Sequence, residues 1–173
     1  LETGQEVELL PVGLRSRVRG LQSHSTKVEQ ARPGSRTAVN LAGVDRVIGM
    51  GVADPERLTL MGWSAGGHLV NKLITFTTRF KAASSGAGVA NWISLYGQSD
   101  TRGDRDLWLG GSLWQKNAPI DTYWEHSPLK YVEAARTPTL FFVGENDSRV
   151  PMSQAIELSR ALKAHGVPTE VHI

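Results

Sequence analysis

Residues 57–70 read RLTLMGWSAGGHLV, and the rest of the chain becomes interpretable once this stretch is. A short apolar run (Leu58, Leu60, Met61) leads into Gly62-Trp63-Ser64-Ala65-Gly66-Gly67; Leu69, Val70 and Leu73 then recur at the spacing of one helical face. A strand, a turn with G-x-S-x-G and a helix together form the pattern of a serine held on a sharp elbow above a sheet edge. Crowding accounts for the glycines. The backbone there is strained, and the positions two before and two after the serine have little room for a side chain, a need that Gly62 and Gly66 meet. The N–H of Ala65 would stand at the start of the helix, where a developing oxyanion finds a donor and a favourable dipole. Ser64 is the candidate nucleophile.

Working outward, Leu41, Val44, Val47 and Ile48 predict an amphipathic helix over residues 38–50, with Gly51 as its stop. Residues 57–61 read as a buried strand and 65–77 as the elbow helix. Residues 80–86 (FKAASSG) read as a second buried strand of small residues, followed by a glycine-rich stretch. An aromatic-rich region then carries short helical pieces, and Ser127-Pro128 predicts an N-cap with proline at the first helical position, opening a helix to about residue 135. Residues 139–143 make a third buried strand, followed by the polar turn 144–149. Pro151 opens an amphipathic helix (Ile156, Leu158, Leu162) that Gly166 ends, and residues 168–173 alternate as a last strand. Strands alternating with helices predict an α/β fold, a mostly parallel sheet with helices on both faces. Ligands in such folds sit at the carboxyl ends of the strands. Ser64 and Asp147 each come after a strand end, so both are expected at that rim.

Residues 1–37 read differently: no aromatic residue, little sustained apolar pattern, and a polar run of Gly, Ser, Gln and Arg. They predict an irregular leader, disordered or unrelated to the remainder, with residues 38–173 forming the domain. The net charge of +2 lies entirely in this leader; residues 38–173 are neutral overall and show no basic face for nucleic acid. Arg15, Arg17 and Arg19 alternate there and read as a solvated segment. The chain has no cysteine, which excludes disulfide and thiolate chemistry. No apolar run is long enough for a membrane span, the start lacks the plan of a signal peptide, and a cytoplasmic setting is favoured. The histidines are scattered with no metal-ligand spacing, so no metal and no cofactor are expected.

Three blocks, GVADPERLTLMGWSAGGHL, RFKAASSGAGVANWISLYGQSD and SPLKYVEAARTPTLFFVGENDSRVP, resemble the C-terminal catalytic domain of the prolyl oligopeptidase family of serine peptidases, in the family's order. The acylaminoacyl-peptidase and dipeptidyl-peptidase-like branch is the most similar, over about residues 38–173. The resemblance implies an α/β-hydrolase fold, incomplete at both ends, acting on a peptide or ester. It implies Ser64 as nucleophile, Asp147 as the acid that orients a histidine, and Ala65 as an oxyanion donor. It also implies Val89, Trp92, Leu95 or Tyr96, and Val150 as lining of the pocket for the residue before the scissile bond. For Trp92 and Tyr96 the alternative is an ordinary core role, and for Asp147 it is turn formation.

The family's base is a histidine in the loop after the last strand, expected just past Ile173. Of the histidines present, His68 is expected to pack beneath the elbow, His126 to lie in a loop and His165 at a helix end. His172 falls within a strand and His24 in the leader. The second oxyanion donor and the first strands should precede residue 38, where the leader does not resemble them. Two other readings stand beside the peptidase: a carboxylesterase of the same fold, suggested by Ser64-Ala65-Gly66-Gly67-His68, and an inactive fragment. Exposed sheet edges would favour a homo-oligomer.

Overall fold

The computed structural model describes residues 2–9, 14–23, 26–30, 37–41 and 48–173. Two compact units divide the chain, Leu1–Pro55 and Glu56–Ile173.

The first unit holds strands β1 (Glu6–Leu9), β2 (Leu14–Ser23), β3 (Thr26–Val28) and β4 (Thr37–Leu41). All pair antiparallel, with β2 bonded to each of the other three. These strands replace the irregular leader that composition predicts, and the alternation of arginines contains the signal for them. Arg15 and Arg17 are exposed on β2 while Val18 is buried, which is the period of a strand with two unlike faces. The helix expected over residues 38–50 is also corrected at its start. Thr37–Leu41 is a strand, because Val39 and Leu41 pair with Leu21 and Val18 of β2, and cross-strand pairing outweighs local helical spacing. Residues 42–47 lie outside the described residues.

The second unit is a parallel four-stranded sheet in the order β5 (Thr59–Trp63), β6 (Ala82–Gly86), β7 (Thr139–Phe142), β8 (Thr169–His172). Helix α1 (Ala65–Leu73) joins β5 to β6. Three short helices, α2 (Trp92–Tyr96), α3 (Arg102–Leu109) and α4 (Ile120–His126), and a 3-10 segment (Pro128–Ala134) fill the connection to β7. Helix α5 (Ser153–Ala164) precedes β8. This is an incomplete α/β-hydrolase fold.

Its core is one apolar cluster. Val70 and Ile74 of α1 and Leu158 and Leu162 of α5 meet Ala83 and Phe141 of the sheet, with Leu129 and Val132 packed against them. Helices α1 and α5 therefore share one face, and on the other face Met61, Trp63 and Phe142 are exposed. On α1 the buried stripe is Gly67, Val70 and Asn71, one step round the helix from the stripe suggested by Leu69 and Leu73. At the end of α5, Gly166 adopts φ 74°, the left-handed conformation that terminates a helix.

Candidate active site

Ser64 sits between β5 and α1 with φ 57° and ψ −116°, a conformation that only a tightly determined site sustains in a non-glycine residue. Two backbone bonds hold it: its N–H donates to the Gly86 carbonyl (2.8 Å), and its carbonyl accepts from the His68 N–H (2.9 Å). The glycines explain how the turn closes. A Cβ on Gly62 would stand 2.4 Å from the Gly66 carbonyl oxygen, whereas a Cβ on Gly66 meets nothing within 4 Å. The crowding expected at both positions is thus borne by Gly62. Gly67, only a third glycine in the sequence pattern, is where α1 touches the sheet. A Cβ there would lie 2.3 Å from the Gly86 carbonyl oxygen and 2.9 Å from the Gly88 Cα, and one on Gly88 would lie 2.6 Å from the Gly67 carbonyl carbon. Backbone meets backbone, so α1 begins directly over the end of β6. Ser64 is left exposed, and the N–H of Ala65, first residue of α1, falls outside the helical ladder.

Asp147 comes after β7, which like β5 runs parallel to β6, so Ser64 and Asp147 leave the sheet at the same rim. Its Oδ1 accepts from the N–H groups of Arg149 and Val150, both at 2.9 Å. Among the described residues Oδ2 carries no hydrogen bond. Turn formation and an aimed carboxylate are therefore compatible: one oxygen makes the turn and the other is left for a donor. The loop is strapped in place. Arg149 Nε and Nη2 grip Asp100 Oδ1 and Oδ2 (2.9 and 3.2 Å), and Ser99 Oγ donates to the Arg149 carbonyl (2.7 Å). The Arg149 guanidinium holds the Asp100 carboxyl below the usual carboxylate range.

Of the pocket candidates, Val89, Leu95 and Val150 form one buried cluster with Ala87, and half-buried Trp92 packs on it. Tyr96 belongs instead with Leu109 and Tyr123, and its hydroxyl donates to Asp106 Oδ1 (2.7 Å). Neighbouring residues of a helix point about 100° apart, so Leu95 and Tyr96 face different ways. A polar frame that sequence reasoning missed holds this region. Gln154, with 0% exposure, accepts through Oε1 from the N–H groups of Ala90 (3.1 Å) and Asn91 (3.0 Å), and its Nε2 donates to Ser94 Oγ (2.9 Å). Ser127 Oγ accepts from the Trp92 N–H (2.9 Å) and donates to the Tyr123 carbonyl (2.8 Å). Thus occupied, it makes no capping bond, and the helix expected from Ser127-Pro128 is a 3-10 segment. Gln154 does leave a cue in the sequence: it is four residues from Leu158 and eight from Leu162, a polar residue on the buried stripe of α5.

The Nδ1 of His68 lies 3.1 Å from the Val89 carbonyl, which also accepts from Asn71 Nδ2 (3.1 Å). A carbonyl can only accept, so Nδ1 carries the proton. The ring stands edge-on to Trp92, 5.1 Å between centroids. This is the packing role expected of His68. His126 donates to the Thr122 carbonyl (2.7 Å), His172 pairs with Glu170 (3.0 Å) and stacks on Phe142, and His165 closes α5. Among the described residues none of these four imidazole rings is bonded to Ser64 or Asp147, and His24 lies outside the described residues.

Burial holds the His68 imidazole below its ordinary value of about 6.5. The folded chain therefore binds fewer protons than the unfolded chain as pH falls through 6.5, and stability present above that pH is lost below it. The urea midpoint is expected to fall between pH 7 and pH 5, and to fall less in His68→Phe, which keeps a ring against Trp92. An equal fall in both proteins would remove His68 as the cause.

Among the described residues no cluster of His, Asp or Glu could hold a metal, and no helix is long and apolar enough to cross a membrane. The sequence profile of the prolyl oligopeptidase family matches residues 37–173. The uncharacterized peptidase YuxL of Bacillus subtilis is 39% identical over 119 residues, covering 68% of this chain and 18% of YuxL. The acylamino-acid-releasing enzyme of Arabidopsis thaliana is 34% identical over 140 residues, covering 76% of this chain and 18% of that enzyme. Among solved structures, uncomplexed Pyrococcus horikoshii acylaminoacyl peptidase superposes with a TM-score of 0.65 at 28% identity, covering 76% of this chain and 21% of that one. The chain thus spans less than a fifth of the length of these two curated relatives.

Proposed function

The chain belongs to the prolyl oligopeptidase family, and from that premise we propose that it supplies the nucleophile and the acid of a serine peptidase. Ser64 attacks a peptide carbonyl, the Ala65 N–H receives the developing oxyanion, the C–N bond breaks as the amine leaves with the proton taken from Ser64, and water then releases the acyl group. Asp147 Oδ2 holds the N–H of the histidine that takes the Ser64 proton. That histidine is assigned to the segment C-terminal to β8. This strand lies parallel beside β7, so the backbone leaving its carboxyl end emerges next to the Asp147 turn. The observation that carries the reading is the strained Ser64 (φ 57°) at the rim it shares with a half-free Asp147 carboxylate. The names of the relatives favour N-acylated peptides as substrates.

A fluorophosphonate probe and then intact-mass analysis test the nucleophile, with and without imidazole as an external base. One adduct per chain is expected, forming faster with imidazole and absent in Ser64→Ala. No adduct under either condition, or an adduct that survives Ser64→Ala, overturns the assignment. Hydrolysis of an N-acetylated peptide in preference to a p-nitrophenyl ester distinguishes the peptidase from an esterase.

A further inference from the structure

Arg105, on α3, is buried to 5% exposure, yet among the described residues its guanidinium has no carboxylate at ion-pairing distance. Its Nη1 donates to Thr101 Oγ1 (2.6 Å), and its Nε is buried without a partner. The charges of Asp104 and Asp100 favour the guanidinium from a distance, but among the described residues neither forms an ion pair with it. Asp100 is gripped by Arg149, Asp106 accepts from Tyr96 and Tyr123, and Asp104 is exposed. Beside Arg105 stands a second orphan donor. The Trp92 indole Nε1 is also buried without a partner, and the guanidinium carbon lies 5.8 Å from the Trp92 ring.

Two buried, unbonded donors on neighbouring side chains, one of them charged, are an uncommon arrangement. Buried polar groups are normally bonded and buried charges normally paired. Both donors call for the same complement, an acceptor bearing negative charge. Their location is equally specific. Trp92 packs against both the Val89–Leu95–Val150 cluster and the Tyr96–Leu109–Tyr123 cluster, so the orphan pair sits where the two meet. Trp92 is also in edge contact with His68, one helical turn beyond Ser64.

We propose that Arg105 and Trp92 form the floor of the pocket for the residue before the scissile bond and select an acidic side chain there. The carboxylate takes one hydrogen bond from Arg105 Nε and one from Trp92 Nε1, while the apolar cluster surrounds the methylenes. This deepens the peptidase reading and rests on it. The logic parallels a buried aspartate selecting basic residues, with the charges exchanged. The charge-assisted bond gives a carboxylate an advantage that the amide of the same shape lacks.

The test titrates N-acetyl-glutamic acid α-amide, its glutamine counterpart and its leucine counterpart into 15N-labelled protein. The readout is the Trp92 indole N–H resonance, identified by its loss in Trp92→Phe. The glutamate compound is expected to shift that resonance saturably and to bind at least tenfold more tightly than the glutamine compound. The preference should vanish in Arg105→Met and persist in part in Arg105→Lys, with circular dichroism confirming that both fold. Equal affinities overturn the proposal, as does a preference that survives Arg105→Met. A water bridging the two donors that no ligand displaces also overturns it. If Ser64 takes the fluorophosphonate and no preference is found, this inference alone fails. If the preference is found and Ser64 stays unlabelled, the peptidase reading fails and the carboxylate site stands.

Discussion

Gly67→Ala is expected to destabilise the Glu56–Ile173 unit by about 3 kcal/mol, at the upper end of the usual cost of overpacking. The added methyl would stand 2.3 Å from the Gly86 carbonyl oxygen and 2.9 Å from the Gly88 Cα, and neither obstacle is a side chain that can rotate away. Relief requires α1 to lift off β6. That movement would break the Ser64 N–H bond to the Gly86 carbonyl, which holds the serine in its strained conformation. For a unit whose total stability is of the order of 5–15 kcal/mol, much of the margin would be lost. Urea unfolding monitored by circular dichroism measures the change. Gly66→Ala provides the contrast. Its Cβ meets nothing within 4 Å and the position is helical, so alanine is expected to be neutral or stabilising by about 0.5–1 kcal/mol. If both alanines behaved alike, the close approach of α1 to β6 would not be what fixes the turn.

Gln154→Met is expected to destabilise by about 2–4 kcal/mol, since two buried N–H groups would each lose their acceptor. Methionine fills nearly the same volume, so cavity formation contributes little and the loss reports on hydrogen bonding. The side chain links α5 to residues 90 and 91 immediately before α2, and Glu157 adds bonds to Asn91 Nδ2 and Ser94 Oγ, both 2.8 Å. Trp92 and Leu95 are therefore placed by a helix sixty residues away in sequence. Amide hydrogen exchange should localise the effect, with protection lost first at Ala90 and Asn91. Unchanged stability in Gln154→Met would show that water satisfies those amides.

The sheet of the second unit is legible in the sequence because each of its strands is a short apolar or small-residue run bounded by turn residues, a local signal. The elbow is legible for the same reason: Gly62, Ser64 and Gly67 lie within six residues. Asp147 can be placed because a buried strand precedes it. The frame around the pocket is not legible, since Gln154, Ser127 and Glu157 act through partners 35 to 66 residues distant, and no spacing records such pairs. Nor is the first unit legible. Leu41 fits a helical spacing with Val44, Val47 and Ile48 and a strand alternation with Val39, and only pairing with β2 decides between them. Arg105 gives no local sign of its burial, because lone arginines are ordinarily solvated.

The stacking of α1 on β6 has a consequence at the level of the gene. Every single-base missense change in a glycine codon introduces a β-carbon. At positions 62, 67 and 88 that atom would fall within 3 Å of main-chain atoms, whereas at position 66 it would enter open space. The nucleophile turn can therefore be disabled by any one-step missense change at three codons without altering Ser64 or Asp147. Variants that inactivate this protein should accumulate at residues with no chemistry of their own.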